Sequence, residues 1–327
     1  MSELSSTAKR RLKQTLRSSA LLADIERHVM RESMKSDRDM SYIHPSDMAK
    51  SDFCHRWAYY TVTGTEVSDT KANPSFQLQN IFAEGHYIHS KWQGWLQDMG
   101  VLWGKWQCPG CDDEYFGFAG SGCAGCDMPP VYREVPLRSD EHMIRGHADG
   151  AVRCADGKMR LIEIKSVGIG TLRFEAPKLF DRYNAGELGL DGLWKAVTKP
   201  FPSHVRQGMI YLTLASGTHE ELADVDEIVF LYEFKATQAV KEFVVKLDPA
   251  IVADRLEDAR SVTASVSSGR PPERPTWAED SGVRTCKSCV YQRHCWNLED
   301  KDEASTDGQK VGVRKADSRK RRRVLGP

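Results

Sequence analysis

Apolar residues recur at helical spacing over some stretches of the chain and alternate with polar ones over others, and the two periods divide it into elements. In residues 8–32, Leu12, Leu16, Ile25 and Val29 fall near one stripe with Lys and Arg on the other side, which predicts an amphipathic helix. A second helix is predicted after Pro45, with Ser46 as its N-cap, carrying Cys54 to Tyr60. Residues 75–98 read as one long helix. Strand-like segments follow at 131–137, 142–154 and 158–167, then an irregular, partly helical stretch at 171–200. A helix starts near Ser203, a hairpin occupies 226–247 and a further helix 249–266. RPPERP (270–275) reads as a linker, and there is no internal repeat. Helices flanking a short central mixed sheet predict an α/β (α+β) architecture.

The 327 residues give room for one large domain or two ordinary ones. A chain of this length buries roughly three quarters of its unfolded surface. Mean hydropathy is −0.51, and no apolar run approaches the ~18 residues a membrane helix needs. MSELSSTAKRRLKQTLR lacks the apolar stretch of a secretory signal. The expectation is a protein without membrane contact, in the cytoplasm of a bacterium or of a phage-infected host. Net charge is zero, from 46 basic and 46 acidic residues, but unevenly spread. Lys310 to Arg323 holds eight Lys/Arg against one Asp, a local charge of +7 that suits either a nucleic-acid arm or a solubilising tail. RKRRR within it also has the form of a nuclear-localisation match.

The nine cysteines change the picture most. Without a secretory signal, clustered cysteines point to metal rather than to disulfides. Cys108, Cys111, Cys123 and Cys126 form CPGC-x11-CAGC, two CxxC turns that present four thiolates to one tetrahedral Zn2+. Gly110 and Gly125 sit inside those turns, where the backbone is expected to curl around the metal. Such a unit replaces an apolar core with metal bonds and can stand as a small insertion. Cys286, Cys289 and Cys295 form CKSC-x5-C and lack a fourth ligand. Cys54, in the polar and aromatic SDFCHRWAYY, and Cys154, in a predicted strand, are the candidates, with His294 a weaker one. One distant Cys plus a C-terminal CxxCx5C suits a four-thiolate [4Fe-4S] cluster, and zinc is the alternative. Phe53, Trp57, Tyr59 and Tyr60 beside Cys54 suit either base stacking or ordinary helix core.

The central hairpin carries a second constellation. Ala155-Asp156-Gly157 makes a three-residue turn with Gly157 in the left-handed position. That register pairs Cys154 with Lys158 and places Asp149 opposite Glu163, with Cβ atoms about 5 Å apart. Two carboxylates so close repel unless a cation lies between them. Lys165, two residues beyond Glu163, shares its face. The set is a ready site for a hard divalent cation, Mg2+ or Mn2+, next to a positioned ammonium. It suits phosphodiester hydrolysis, in which metal neutralises phosphate and activates water.

GHADG followed by LIEIKS resembles the GxxD…ExK core of the PD-(D/E)XK nucleases. Gly85-x3-His89 resembles the helical histidine motif of the RecB-like branch, and Gln207-x3-Tyr211 its QxxxY motif. Cys54 with Cys286, Cys289 and Cys295 resembles its iron–sulfur staple, as in AddB-type nuclease domains and the CRISPR-associated exonuclease family numbered four. The resemblance implies a restriction-endonuclease-like core in which His89, Asp149, Glu163 and the Ile164 carbonyl bind Mg2+ or Mn2+. It implies that Lys165 is catalytic and that Gln207 and Tyr211 position DNA or the metal site. Glu134 matches the family's first sheet strand, without a catalytic assignment. His86 and His147 neighbour the motifs and are not taken as ligands. The implied activity is a metal-dependent DNA exonuclease acting on single strands or ends in recombination, repair or end processing. A structure-specific endonuclease, a spacer-processing nuclease and a non-cleaving DNA-binding adaptor are the alternatives. No GxxxxGK[ST] loop occurs, so any helicase or recombination motor would be a separate partner. The expected organisation is a helical extension (1–40), a nuclease domain (41–300) with a zinc ribbon inserted at 103–130, and a basic disordered tail (301–327).

Overall fold

The computed structural model describes residues 21–33, 38–67, 75–120 and 122–298. Residues 8–20 of the predicted first helix and the basic tail lie outside them. The first element among the described residues is α1 (Leu22–Ser33). The single helix expected after Pro45 is two. α2 (Pro45–Met48) follows His44, with Pro45 in its first turn, and α3 (His55–Val62) starts at Cys54. Cys54 is extended, and its Sγ accepts from the Trp57 N–H at 3.4 Å, satisfying an otherwise orphaned helix donor. α4 (Phe76–Asp98) follows Ser75, whose Oγ accepts from Leu78 N–H. Strands β1 (Leu102–Gln107), β2 (Glu114–Phe118), β3 (Val131–Tyr132), β4 (Val135–Ser139), β5 (Ile144–Ala148), β6 (Gly150–Arg153) and β7 (Met159–Val167) come next. The irregular stretch is three short helices, α5 (Ile169–Glu175), α6 (Pro177–Asn184) and α7 (Leu190–Ala196). α8 (Pro202–Thr218), the β8 (Glu227–Phe234) and β9 (Ala239–Lys246) hairpin, α9 (Ala253–Ser268), α10 (Arg284–Lys287) and α11 (Gln292–Trp296) complete it.

The central sheet runs β2-β1-β6-β7-β8-β9, with β3 beside β1. Its pairs are antiparallel except β7 with β8, whose parallel register puts Glu163 beside Phe230. α8 lies between those two strands in the chain and packs on β8, as a parallel crossover requires. β7 is covered on both faces. Ile162 and Ile164 pack with Ile88 of α4, Val229 and Leu231. Leu161 and Val167 belong with Met209 and Ile210 of α8, Phe230 and Tyr232. Alternation therefore turns Glu163 and Lys165 toward α8.

The predicted hairpin register is the observed one: Gly150 opposes Ile162 and Arg153 opposes Met159. Cys154 N–H donates to the Lys158 carbonyl at 2.9 Å, and Gly157 is left-handed at φ 80°. Two predicted strands are broken, however. Residues 131–137 divide at Arg133-Glu134, and residues 142–154 divide at Asp149. β4 and β5 form a separate two-stranded sheet, so the chain crosses between the sheets once at Glu134 and once at Asp149. Period-2 alternation persists through both breaks, so it does not reveal them.

The 103–130 segment does not stand alone. β1 pairs with β6 as well as β2, and Trp103 and Trp106 are buried, so the cysteine unit grows from a hairpin of the main sheet. Phe53, Tyr59 and Tyr60 are buried and Trp57 packs against the same core. Of the two readings of that aromatic cluster, the structure supports helix core.

Candidate active site

Beyond Ile162, β7 loses its β6 neighbour because the chain turns at Asp149 into the small sheet. The exposed backbone edge is met by Asp149 itself: its Oδ2 accepts from the Ile164 N–H at 2.6 Å. A residue in an extended strand presents its N–H and C=O to the same edge, so the Ile164 carbonyl also faces this corner. Tight packing fixes the turn. A Cβ on Gly150 would come within 2.6 Å of Leu102 and 2.9 Å of the Tyr132 hydroxyl. One on Gly146 would meet Pro45 at 2.8 Å. The Asp149 carbonyl accepts from Tyr132 Oη and Gln93 Nε2, both at 3.0 Å.

α4 brings His89 to the corner, its Nδ1 3.1 Å from Asp149 Oδ1. The helix approaches β7 closely at Gly85, where a Cβ would sit 3.3 Å from Ser166 Oγ, one turn before His89. It is pinned two residues beyond His89. The Glu233 carboxylate, 1% exposed, accepts from Lys91 Nζ at 2.6 and 2.7 Å and from Trp92 Nε1 at 2.6 Å. Lys165 Nζ donates to Glu163 Oε1 at 2.6 Å and to Gln207 Oε1 at 2.9 Å, and Gln207 Nε2 donates to Tyr211 Oη at 2.9 Å. The structure thus brings His89, Asp149, Glu163, Ile164, Lys165, Gln207 and Tyr211 into one connected group. His86 and His147 are exposed and are not part of that group.

Glu163 is 3% exposed, and its Oε2 has no hydrogen-bond partner. Burial raises its pKa to about 7, against the pull of Lys165 and with the push of Asp149. His89 is opposed by burial, but Asp149 outweighs this and raises its pKa. An orphaned carboxylate oxygen next to a second carboxylate is what a divalent cation would satisfy, so these residues fit one. Glu134 is the residue sequence reasoning left without a role. It stands at the other crossing between the sheets, left-handed at φ 59°, and its carboxylate groups with His89 and Asp149. Burial first, then the Asp149 charge, raises its pKa to about 7. A lone glutamate in a strand-like run carries no signal of this. Glu233 is equally silent.

The four ligand atoms of Cys108, Cys111, Cys123 and Cys126 all lie within 4.8 Å of one another, a four-thiol set that could hold a metal ion. Gly110 N–H donates to Cys108 Sγ and Gly125 N–H to Cys123 Sγ. The left-handed residues are Asp112 and Asp127, one after each CxxC, rather than the two glycines. Gly110 is needed for space instead, since a Cβ there would meet Met128 Sδ at 2.6 Å and Cys126 Sγ at 3.2 Å. Cys54, Cys286, Cys289 and Cys295 line one cavity of about 280 Å3 between α3 and the C-terminal helices. Burial raises the Cys54 thiol to about 11. Cys154 is half-buried against the α4 side of the sheet, and His294 stacks edge-on to Tyr60.

In chain order, α4, β1, β6, β7, α8 and β8 build three antiparallel strands and a parallel fourth, with the acidic corner on the middle strands. That is the restriction-endonuclease-like class of α/β fold, here with a four-cysteine unit on β1–β2. No protein-family model matches the chain, and no curated protein matches it. Among solved structures, an alkaline exonuclease (LHK-Exo) from Laribacter hongkongensis is similar with TM-score 0.38 and 12% identity, over 70% of this chain and 90% of that one. Its complex with dAMP gives 0.36 at 12% identity and the same coverage. SSO0001 gives 0.35 at 16% identity, over 84% and 96%.

Proposed function

We propose that this chain is a divalent-cation-dependent deoxyribonuclease that hydrolyses phosphodiester bonds, as an exonuclease on single strands or DNA ends. The observation that carries the reading is the partnerless, buried Glu163 Oε2 within the field of the Asp149 charge, beside an ammonium fixed by Glu163 and Gln207. His89, Asp149, Glu163 and the Ile164 carbonyl would hold Mg2+ or Mn2+. When bound, that cation neutralises phosphate charge and lowers the pKa of an attacking water. Lys165 has three donors. Two are committed to Glu163 and Gln207, and the third is left to orient the water or to meet the charge that develops on phosphate. Tyr211 accepts from the Gln207 amide and so turns its carbonyl toward Lys165.

In the same reading Cys54, Cys286, Cys289 and Cys295 hold a [4Fe-4S] cluster that joins α3 to the C-terminal segment, and the other four cysteines hold Zn2+. The support is the shared cavity in the first case and the mutual spacing in the second.

The test is cleavage of end-labelled single- and double-stranded DNA, and of a closed circle. Anaerobically purified wild type and Glu163→Ala are compared with Mg2+, Mn2+ and EDTA. Trimming by wild type alone, only with metal, and an intact circle are expected. DNA binding without cutting by wild type would replace the reading with a non-cleaving adaptor.

A further inference from the structure

We propose that His204 is a further substrate-contacting residue of the site, its Nε2–H donating to a phosphate oxygen of the DNA strand that lies over Lys165. The inference rests on the nuclease reading for its substrate. It adds a residue that holds no cation and that no motif in the sequence marks.

The position follows from the fold. In the parallel register of β7 and β8, Lys165 stands beside Tyr232, and both face α8. The helix meets that pair with two residues one turn apart. Gln207 Oε1 accepts from Lys165 Nζ at 2.9 Å, and His204 Nδ1 lies 2.5 Å from Tyr232 Oη.

The bonding fixes which ring nitrogen carries the proton. Tyr232 is fully buried. Its Oη accepts from the Phe201 N–H at 2.9 Å, and a hydroxyl has one proton of its own to give. Among the described residues the acceptor it meets is His204 Nδ1. The imidazole therefore carries its proton on Nε2. Phe201 and Tyr232 clamp the ring edge-on, with centroids 5.4 and 5.3 Å away. Burial, and then the Lys165 ammonium, hold the pKa of His204 well below the usual histidine value, so the ring is neutral.

What remains is the other nitrogen. Among the described residues Nε2 makes no hydrogen bond. The buried side-chain atoms left without a partner there are His142 Nε2 and Glu163 Oε2. His204 Nε2 is therefore open to solvent, on a side chain that is half-buried. A histidine that only braced Tyr232 would need Nδ1 alone. Gln207, on the same helix face, is already engaged at both ends of its amide. A fixed neutral donor beside an ammonium suits an anion, since it adds a hydrogen bond without a second cation to repel Lys165. The anion that the nuclease reading brings to Lys165 is the phosphodiester backbone.

The test measures single-stranded DNA binding by the full chain with Ca2+, by fluorescence anisotropy, and single-turnover cleavage with Mg2+. The oligonucleotides each carry one phosphate replaced by an uncharged methylphosphonate. His204→Asn keeps an acceptor where Nδ1 stands and removes the Nε2 donor, whereas His204→Gln does the reverse. The Asn variant is expected to melt like wild type and to lose about ten-fold in affinity and in kcat/KM. That loss should vanish on the oligonucleotide neutralised at the contacted phosphate. The Gln variant is expected to melt lower and yet bind nearer to wild type. Wild-type binding and cleavage by the Asn variant overturns the contact, and so does a loss of equal size on every methylphosphonate oligonucleotide. Nitrogen-15 spectra of the wild-type histidines decide the matter without variants: an Nε2–H signal that shifts with DNA is expected, and a proton on Nδ1 or a signal unmoved at saturation refutes the contact. Wild type that binds DNA but never cuts it ends the nuclease reading and leaves the contact to the binding comparison. Wild type that does not bind DNA ends both.

Discussion

Lys165 illustrates how one residue depends on its element and on two others. Its position is set by β7, its direction by alternation, and its reach by Glu163 and Gln207. Lys165→Ala is expected to lower turnover about 100-fold or more, with DNA affinity little changed, measured by single-turnover cleavage. The buried carboxylates give a pH signature in the cation-free protein. Glu163 and Glu134 both titrate near 7 instead of 4.5. The folded state therefore binds more protons than the unfolded chain between those values, and stability from these groups is lost as pH rises through 7. His44, His142 and His204, whose pKa values are lowered by burial, act in the opposite direction. The comparison is therefore with Glu163→Gln, which keeps them. Without divalent cations, the melting temperature of wild type is expected to fall relative to Glu163→Gln from pH 5 to pH 8. A constant difference would mean Glu163 is not buried as described.

At the scale of elements, two packing devices set the geometry of the corner. The first pins α4 to β8 through Glu233. Removing that carboxylate leaves the Lys91 ammonium and the Trp92 indole N–H without their buried acceptor. Glu233→Ala is expected to cost about 2–4 kcal/mol in urea unfolding, discounted because Lys91 keeps partial access to water. The displaced helix should also weaken cation binding at His89. The second device is the clearance at Gly150. Gly150→Ala drives a methyl into Leu102 and Tyr132, and an overpacking loss of about 1–3 kcal/mol is expected. An unchanged unfolding midpoint would mean the turn at Asp149 has slack that the close contacts exclude.

At the scale of the molecule, cysteines do what a larger core would otherwise do. Cys54 opens α3, while Cys286, Cys289 and Cys295 lie more than two hundred residues later and line the same cavity. Their metal would close the two ends of the fold around α9, which packs on α3. Anaerobic wild type is expected to carry about four iron atoms and one zinc per chain. Cys286→Ala should lose the iron, keep the zinc and unfold at lower temperature, as metal analysis and thermal melts would show. The four-cysteine unit is joined to the sheet through β1. Cys126→Ala is therefore expected to disturb the corner at Glu134, whose carbonyl is held by Lys105 of that strand. Among the described residues no helix is long and apolar enough to cross a membrane.

Local chemistry was enough to read much of this from the sequence. Ser75 begins α4, Gly157 fixes the hairpin register that sets Gly150 against Ile162, and alternation puts Lys165 on the same face as Glu163. CxxC spacing likewise brings Cys108 to Cys111 and Cys123 to Cys126, while the β1–β2 hairpin starts from the first pair. What only tertiary structure decided lies where the chain changes neighbours. Glu134 and Asp149 mark crossings between two sheets, and alternation runs on through both, so two pieces look like one strand. Cys54 looks like the interior of a helix until the turn before it makes it a cap. Glu233 earns its place only by facing Lys91 and Trp92 across some 140 residues. Turn residues, caps and metal spacings are determined by contacts within a few positions, which the sequence displays directly. The choice of sheet, and which distant carboxylate a histidine meets, depends on long-range packing that no local pattern encodes.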